Sequence, residues 1–101
     1  MPVNYIAEIE WLTAEAGGRK SPPPGPTYSA PVRFEDESWE AWAKEAWTLV
    51  AQVIECSDAY HWKANVAFLV GNAPQERLMP GARFEFYEGR RCVARGRVLG
   101  T

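Results

Sequence analysis

The side chains best suited to covalent or metal chemistry are few in this chain of 101 residues. It has one histidine, His61, and two cysteines, Cys56 and Cys92. Cys56 lies shortly before His61, but a catalytic pair would need the fold to bring the thiol and the imidazole within hydrogen-bond reach, beside an oxyanion site. Two thiols and one imidazole without close spacing give no zinc site. We therefore expect no enzyme activity, metal or cofactor, and we interpret Cys56 as a small buried residue.

Basic side chains are concentrated at two places that could bind an anionic partner. Between Arg83 and Arg97 the chain has five arginines and two glutamates, a local charge of +3 in a protein whose formal charge is −2. Arg19 and Lys20 follow a pair of glycines nearer the N-terminus. Arginine can donate two parallel hydrogen bonds to phosphate, so these residues are candidates for RNA contact. The alternative is that they are solvated side chains on the outer faces of strands.

Five tryptophans supply the largest apolar side chains. We expect Trp11 and Trp62 to fill the interior of the fold, because small barrels use large side chains there. Trp39 and Trp42 lie among acidic residues in the segment 35–47. An apolar patch with an acidic rim marks a protein interface, so these two tryptophans are candidate binding residues.

The pattern of apolar residues predicts an all-β protein with six short strands. The predicted strands cover residues 5–12, 28–35, 48–55, 61–70, 83–87 and 91–99. Most of them alternate apolar and polar side chains, which is the period of two typical of strands. No repeated βα unit accompanies them, so a single domain over residues 1–101, built as a small antiparallel barrel or sandwich, is expected.

Two local features refine this prediction. Pro31 has no backbone donor, so we expect it at an edge or a bulge of its strand. In residues 38–46, tryptophans and alanines recur at helical spacing and Ser38 can cap the first turn, which predicts one short helix. The alternative is a loop whose tryptophans form a lid.

Charge and hydropathy limit the partners and the location of the protein. A formal charge of −2 and an isoelectric point near 5.4 argue against nonspecific attraction to nucleic acid or to an anionic membrane. The sequence shows neither a signal-peptide pattern nor an apolar run of about 18 residues. It also lacks the glycine-rich loop that cradles nucleotide phosphates. We expect a cytoplasmic protein that binds neither membrane nor nucleotide.

The order of these features resembles the C-terminal, third domain of elongation factor Tu. The shared pattern is an early strand that ends in a Glu-x-Gly-Gly-Arg loop, a region with proline and tyrosine, and a closing hairpin with a Glu-Gly turn. The matching residues in this chain are Glu15, Gly17, Gly18, Arg19, Pro22, Gly25, Tyr28, Pro31, Phe84, Glu88, Gly89, Val93, Gly96 and Val98. The resemblance covers nearly the whole chain and implies a six-stranded antiparallel β-barrel.

The resemblance also implies a binding surface. In the family, the Gly-Gly-Arg loop and the Glu-Gly turn face the T stem of aminoacyl-tRNA. Carried over, this nominates Arg19, Lys20, Glu88, Gly89 and Arg90, and it implies that the loop and the turn meet in space. Lys20 replaces the family's histidine, and the acidic segment 35–47 does not look like the family's corresponding part. The glycines have a simpler explanation, which is turn geometry alone.

These observations lead to three functional hypotheses. The first is a non-enzymatic, stand-alone, translation-factor-like barrel that binds a protein partner. The second is binding of tRNA or another structured RNA through the Gly-Gly-Arg loop and the Glu-Gly-Arg turn. The third is immunity- or antitoxin-like inhibition of a basic partner, which suits a small acidic protein rich in aromatic residues.

Overall fold

Six antiparallel strands close into a barrel in the computed structural model, which describes residues 5–100. The strands are β1 (Tyr5–Trp11), β2 (Thr27–Phe34), β3 (Trp47–Asp58), β4 (His61–Phe68), β5 (Arg83–Glu88) and β6 (Arg91–Gly100). Their order round the barrel is β1-β4-β3-β2-β5-β6, and β6 pairs with β1 to close it. The connections contain one helix, α1 (Trp39–Lys44), and two short 3₁₀ turns. The prediction of a six-stranded antiparallel barrel with a short helix is confirmed.

Alternate residues along each strand point into the barrel and fill its interior. Trp11 and Trp62 are buried, with 2% and 6% of their surface exposed. The ring of Trp11 lies edge-on to those of Tyr28 and Trp62, with centroids 4.8 and 4.9 Å away. Phe84 and Phe86 fill the space beside them. The expectation that Trp11 and Trp62 pack in the core is therefore confirmed.

At Pro31, the strand β2 has a neighbouring strand on one side only. β2 pairs with β3 from Thr27 to Val32, but its pairing with β5 begins at Val32. The missing N–H of Pro31 therefore interrupts no ladder with β5, and the residue is exposed. The edge position expected for this proline is confirmed.

The strand β3 runs further than the sequence pattern indicates. It continues to Asp58 through two bulges and pairs there with β4 alone, since its pairing with β2 ends at Gln52. A bulge adds a residue to one strand, which interrupts the alternation by which strands are recognised. Cys56 lies in this extension and is exposed. The interpretation of Cys56 as a buried residue is therefore wrong, because at this point the strand has no neighbour on its other side.

The helix α1 is short and lies outside the barrel wall. The Ser38 hydroxyl accepts a hydrogen bond of 3.1 Å from the backbone N–H of Ala41, which satisfies one donor of the first turn. The Trp42 indole donates a hydrogen bond of 3.1 Å to the carbonyl of Val32 and ties the helix to β2. Within residues 5–100, no helix has both the length and the apolarity needed to cross a membrane.

Candidate functional site

The Gly-Gly-Arg loop and the Glu-Gly-Arg turn meet at one end of the barrel. We call Arg19, Lys20, Glu88, Gly89 and Arg90 the loop–turn surface. The guanidinium of Arg19 forms an ion pair with the carboxylate of Glu88 and donates a second hydrogen bond of 3.0 Å to the Ser21 carbonyl. The implied contact between the loop and the turn is confirmed.

The glycines of this region are required by the backbone. Gly17 and Gly89 have φ angles of 91° and 65°, in the left-handed region that favours glycine. A side chain at Gly18 would place its Cβ 2.2 Å from the carbonyl oxygen of Leu12, much closer than atoms can approach. Turn geometry and close packing thus account for these glycines, without any need for a ligand.

A tyrosine completes the polar cluster between loop and turn. The Tyr28 hydroxyl donates a hydrogen bond of 2.6 Å to the Glu88 carboxylate. Burial raises the pKa of Tyr28, and the hydrogen bond to Glu88 raises it further. Burial also acts to raise the pKa of Glu88, but the hydrogen bonds from Tyr28 and Arg19 outweigh it and lower that pKa below the ordinary 4.5.

The charge of this surface is smaller than the sequence indicates. Arg19 is paired with Glu88, so a phosphate would have to compete with this carboxylate for the guanidinium. Lys20, Arg90 and Arg91 are exposed and form no ion pair within residues 5–100. Three separate surface cations give a weak electrostatic site at physiological salt.

Tyr28→Phe should make the barrel less sensitive to alkaline pH. The raised pKa means that, above pH 10.0, the phenol ionises in the unfolded chain before it does so in the folded one. The neutral phenol makes its full contribution to stability below that pH, and this contribution is lost as the pH rises through the pKa of the folded state. Above pH 10, the free energy of unfolding of the variant should fall less steeply with pH than that of the wild type. The two slopes should differ by at most about 1.4 kcal/mol per pH unit, which is the limit for one proton.

Urea unfolding of both proteins, followed at several alkaline pH values, measures this difference in slope. Near neutral pH the difference in stability between the two proteins should be constant, which serves as the internal control. Identical slopes above pH 10 would show that Tyr28 is not held neutral by its surroundings.

A second cluster lies on the outer wall, where α1 covers β2 and β5. We call Trp39, Trp42, Tyr87 and Arg33 the aromatic patch. The Trp39 ring is edge-on to the rings of Trp42 and Tyr87, with centroids 5.8 and 5.6 Å away. The Arg33 guanidinium lies over the Trp39 ring, 4.2 Å from its centroid. Trp39 nevertheless keeps 56% of its surface exposed.

Hydrogen bonds from Arg33 hold the aromatic patch in place. Arg33 donates to the Glu85 carboxylate at 3.0 Å and to the Glu37 carbonyl at 2.7 Å. The Glu85 carboxylate also accepts a hydrogen bond of 2.8 Å from the Tyr87 hydroxyl. The guanidinium thus connects β5 to the segment that leads into α1. The rings are fixed by their neighbours, because each contacts another ring or the stacked arginine.

Sequence reasoning found Trp39 and Trp42 but missed Tyr87 and Arg33. Tyr87 follows Phe86, which points inward, and a register shift between these two residues lies in the pairing of β5 with β6. Tyr87 is buried outside the barrel under the tryptophans, with 4% of its surface exposed. Alternation places Arg33 on the outer face correctly, but only the fold shows that Trp39 lies against it.

His61 contacts carboxylates rather than a thiol. The two ring nitrogens of His61 face the carboxylates of Asp58 and Glu10, at 3.0 and 3.6 Å. Within residues 5–100 no hydrogen bond joins His61 to Cys56. The same part of the chain holds no group of three histidine, cysteine or acidic side chains that could bind a metal ion.

The fold and its two surfaces define the chain as a small closed β-barrel that carries a fixed, exposed tryptophan. No protein-family model and no curated protein matches its sequence. Any functional conclusion therefore depends on the geometry of the two surfaces.

Proposed function

We propose that this barrel is a non-enzymatic protein-binding module whose aromatic patch contacts the partner. One observation carries the proposal, which is that Trp39 is held from three sides and still exposes 56% of its surface. An exposed tryptophan ring of this kind is costly in water, and tryptophan is among the residues most enriched at binding hot spots.

The fixed geometry of the patch favours binding. Immobilising a free side chain at an interface costs about 0.5–1.5 kcal/mol. Trp39 has already lost this freedom, because Arg33, Trp42 and Tyr87 contact its ring. The partner would therefore bury the exposed part of the ring at little entropic cost.

Charge identifies the kind of partner. Residues 35–45, which lead into α1 and form it, carry five acidic side chains and one lysine, a net charge of −4. One of the acidic residues, Asp36, forms an ion pair with Arg77 at 2.6 Å, and the others lie within six positions of Trp39 along the chain. Complementary charge accelerates association and excludes partners of like charge. The patch thus suits a basic protein surface, and blocking such a surface is the immunity- or antitoxin-like form of this function.

Trp39→Ala should abolish capture of the partner while the barrel stays folded. Removal of a hot-spot tryptophan costs about 2 kcal/mol or more, which weakens binding roughly 30-fold. The measurement is affinity capture by the tagged protein from an extract of its source cells. The captured protein should have a basic surface, approach equimolar amounts and dissociate as salt rises.

The matched control is Leu69→Ala, which removes another exposed apolar side chain, at the end of β4. This variant should retain the partner. Capture that is equal for wild type and Trp39→Ala, or a captured protein without a basic surface, contradicts the proposal. Treatment of the extract with nuclease tests the RNA alternative, because material retained through the loop–turn surface would then be lost and would not depend on Trp39.

Protein binding is preferred over RNA binding because of Arg19. The RNA-binding hypothesis assigns this residue to an RNA backbone, but its charge is balanced by Glu88. Within residues 5–100, nothing makes a competing contact with the exposed part of Trp39.

A further inference from the structure

A groove of about 790 Å³ runs across the outer wall of the barrel, and Arg33 of the aromatic patch is among the residues that line it. Outward side chains of β5, β6, β1 and β4 form most of its floor, and we call it the wall groove. It is lined by five arginine or lysine side chains, five glutamates and His61, so its formal net charge is zero with His61 neutral. Its volume falls within the range of about 300–1,000 Å³ that is common for small-molecule sites.

Strand register arranges these charges in two rows across the wall. Each residue in a row is directly opposite the next on the neighbouring strand. One row alternates in sign and consists of Glu85, Arg95, Glu10 and His61. The other row consists of Arg83, Arg97, Glu8 and Lys63. The second row breaks the alternation at its start, where two arginines oppose each other.

The two opposed arginines differ in their partners. Arg97 donates a hydrogen bond of 2.7 Å to the carboxylate of Glu8. Arg83 forms no ion pair within residues 5–100, although Glu35 lines the same groove. Like charges directly opposite in a sheet are destabilising. The barrel therefore carries an arginine on this wall at a cost to its own stability.

Arg95 is also without an ion pair in the described chain, because its neighbours are engaged elsewhere. On one side Glu85 accepts hydrogen bonds from Arg33 and Tyr87. On the other side Glu10 faces the ring of His61. Arg95 is two positions from Arg97 on the same face of β6, so its guanidinium lies within reach of a group bound between Arg83 and Arg97.

We propose that Arg83 and Arg95 bind the phosphate group of a small phosphorylated molecule in the wall groove, with Arg97 beside them. Two unpaired guanidiniums match a dianionic phosphate, and each can donate two parallel hydrogen bonds. The half-exposed side chain of Leu99 lines the same groove and offers an apolar contact for the organic part of the ligand. A nucleic acid strand fits less well, because the five glutamates would repel its successive phosphates.

Titration by nuclear magnetic resonance tests the site with two probes, inorganic phosphate and phenyl phosphate. Both should cause saturable amide shifts in β5 and β6, with a Kd of about 1 mM, the strength of two charge-assisted contacts. Phenyl phosphate should bind more tightly and also shift Leu99. Sodium chloride at equal ionic strength and sodium acetate should cause no comparable saturable shift.

Arg83→Gln and Arg95→Gln should each weaken phosphate binding about tenfold. Lys44→Gln is the matched control, since it removes one positive charge outside the groove and should leave the Kd unchanged. In phosphate-free buffer, Arg83→Gln should be at least as stable as the wild type, because it removes the charge opposed to Arg97. This stability readout separates loss of binding from loss of fold.

Several results would overturn the assignment. These are the absence of saturable shifts, an affinity for acetate equal to that for phosphate, and phosphate affinity in both arginine variants equal to that of the wild type. A single-stranded RNA that shifts the groove at lower concentration than phenyl phosphate would also overturn it. A marked loss of stability in Arg83→Gln would instead show that this arginine is structural.

Discussion

Gly96→Ala is expected to lower the free energy of unfolding by about 3 kcal/mol, at the upper end of the usual cost of overpacking a core. Gly96 lies on β6 opposite Phe84 of β5. A Cβ at this position would lie 2.2 Å from the nearest atom of the Phe84 ring and 2.5 Å from the next. The ring has no room to retreat, because it is buried against Phe34 and Phe86. Urea unfolding followed by tryptophan fluorescence measures the loss.

Two further variants test the cause. Gly71→Ala places a methyl group at an exposed glycine where no atom lies within 4 Å, so its stability should match that of the wild type. Adding Phe84→Leu to Gly96→Ala should cost less than the sum of the two single changes, because the smaller side chain relieves the clash. Additive losses would show that contact with Phe84 is not the reason for the glycine.

Trp11→Ala is expected to cost about 4 kcal/mol, as for other buried aromatic residues replaced by alanine. Its indole is in contact with the rings of Tyr28 and Trp62 and is stacked on Phe86 at a centroid distance of 6.2 Å. Removing it would leave a cavity bordered by three aromatic rings that cannot collapse together. A domain of this size has a total stability of about 5–15 kcal/mol, so the variant should be partly unfolded at mild temperatures.

The matched comparison is Trp39→Ala, which removes the same side chain from an exposed position and should cost about 1 kcal/mol. Trp11→Phe should cost clearly less than Trp11→Ala. The indole N–H of Trp11 is buried and has no hydrogen-bond partner in the described chain, so phenylalanine loses ring volume but no hydrogen bond. Thermal unfolding of the three variants ranks them. Equal losses for Trp11→Ala and Trp39→Ala would contradict the assignment of Trp11 to the core.

The sequence predicted the six strands because alternation is a local property, whereas the choice of a barrel over a sandwich came from the resemblance to a known domain. Residues such as Ile9 and Trp11 of β1 repeat with a period of two, and the side that is apolar in the sequence is the side that faces the core. The helix start at Ser38 was predictable for the same reason, since capping depends on residues within one turn.

The details of both surfaces depend on contacts between distant parts of the chain. Tyr28 and Glu88 are 60 positions apart and Arg33 and Glu85 are 52 apart, and no spacing within one strand indicates such pairs. Cys56 was misjudged because local alternation does not show that the pairing of β3 with β2 ends at Gln52. Tyr87 was missed because alternation places it outside the barrel but does not show that the tryptophans of the distant segment 35–47 cover it. For the loop–turn surface, the implied contact came from resemblance to a known domain rather than from periodicity.

Because the barrel is closed, its binding surface can change without a change in its fold. All six strands are hydrogen-bonded to a neighbour on each side over at least part of their length, and the pairing of β6 with β1 closes the ring. Apart from one-sided stretches such as the end of β3, the barrel therefore offers a partner outward side chains rather than free backbone. Because those side chains contribute little to the core, a change of partner can arise by exchange of surface residues while the same scaffold is inherited unchanged.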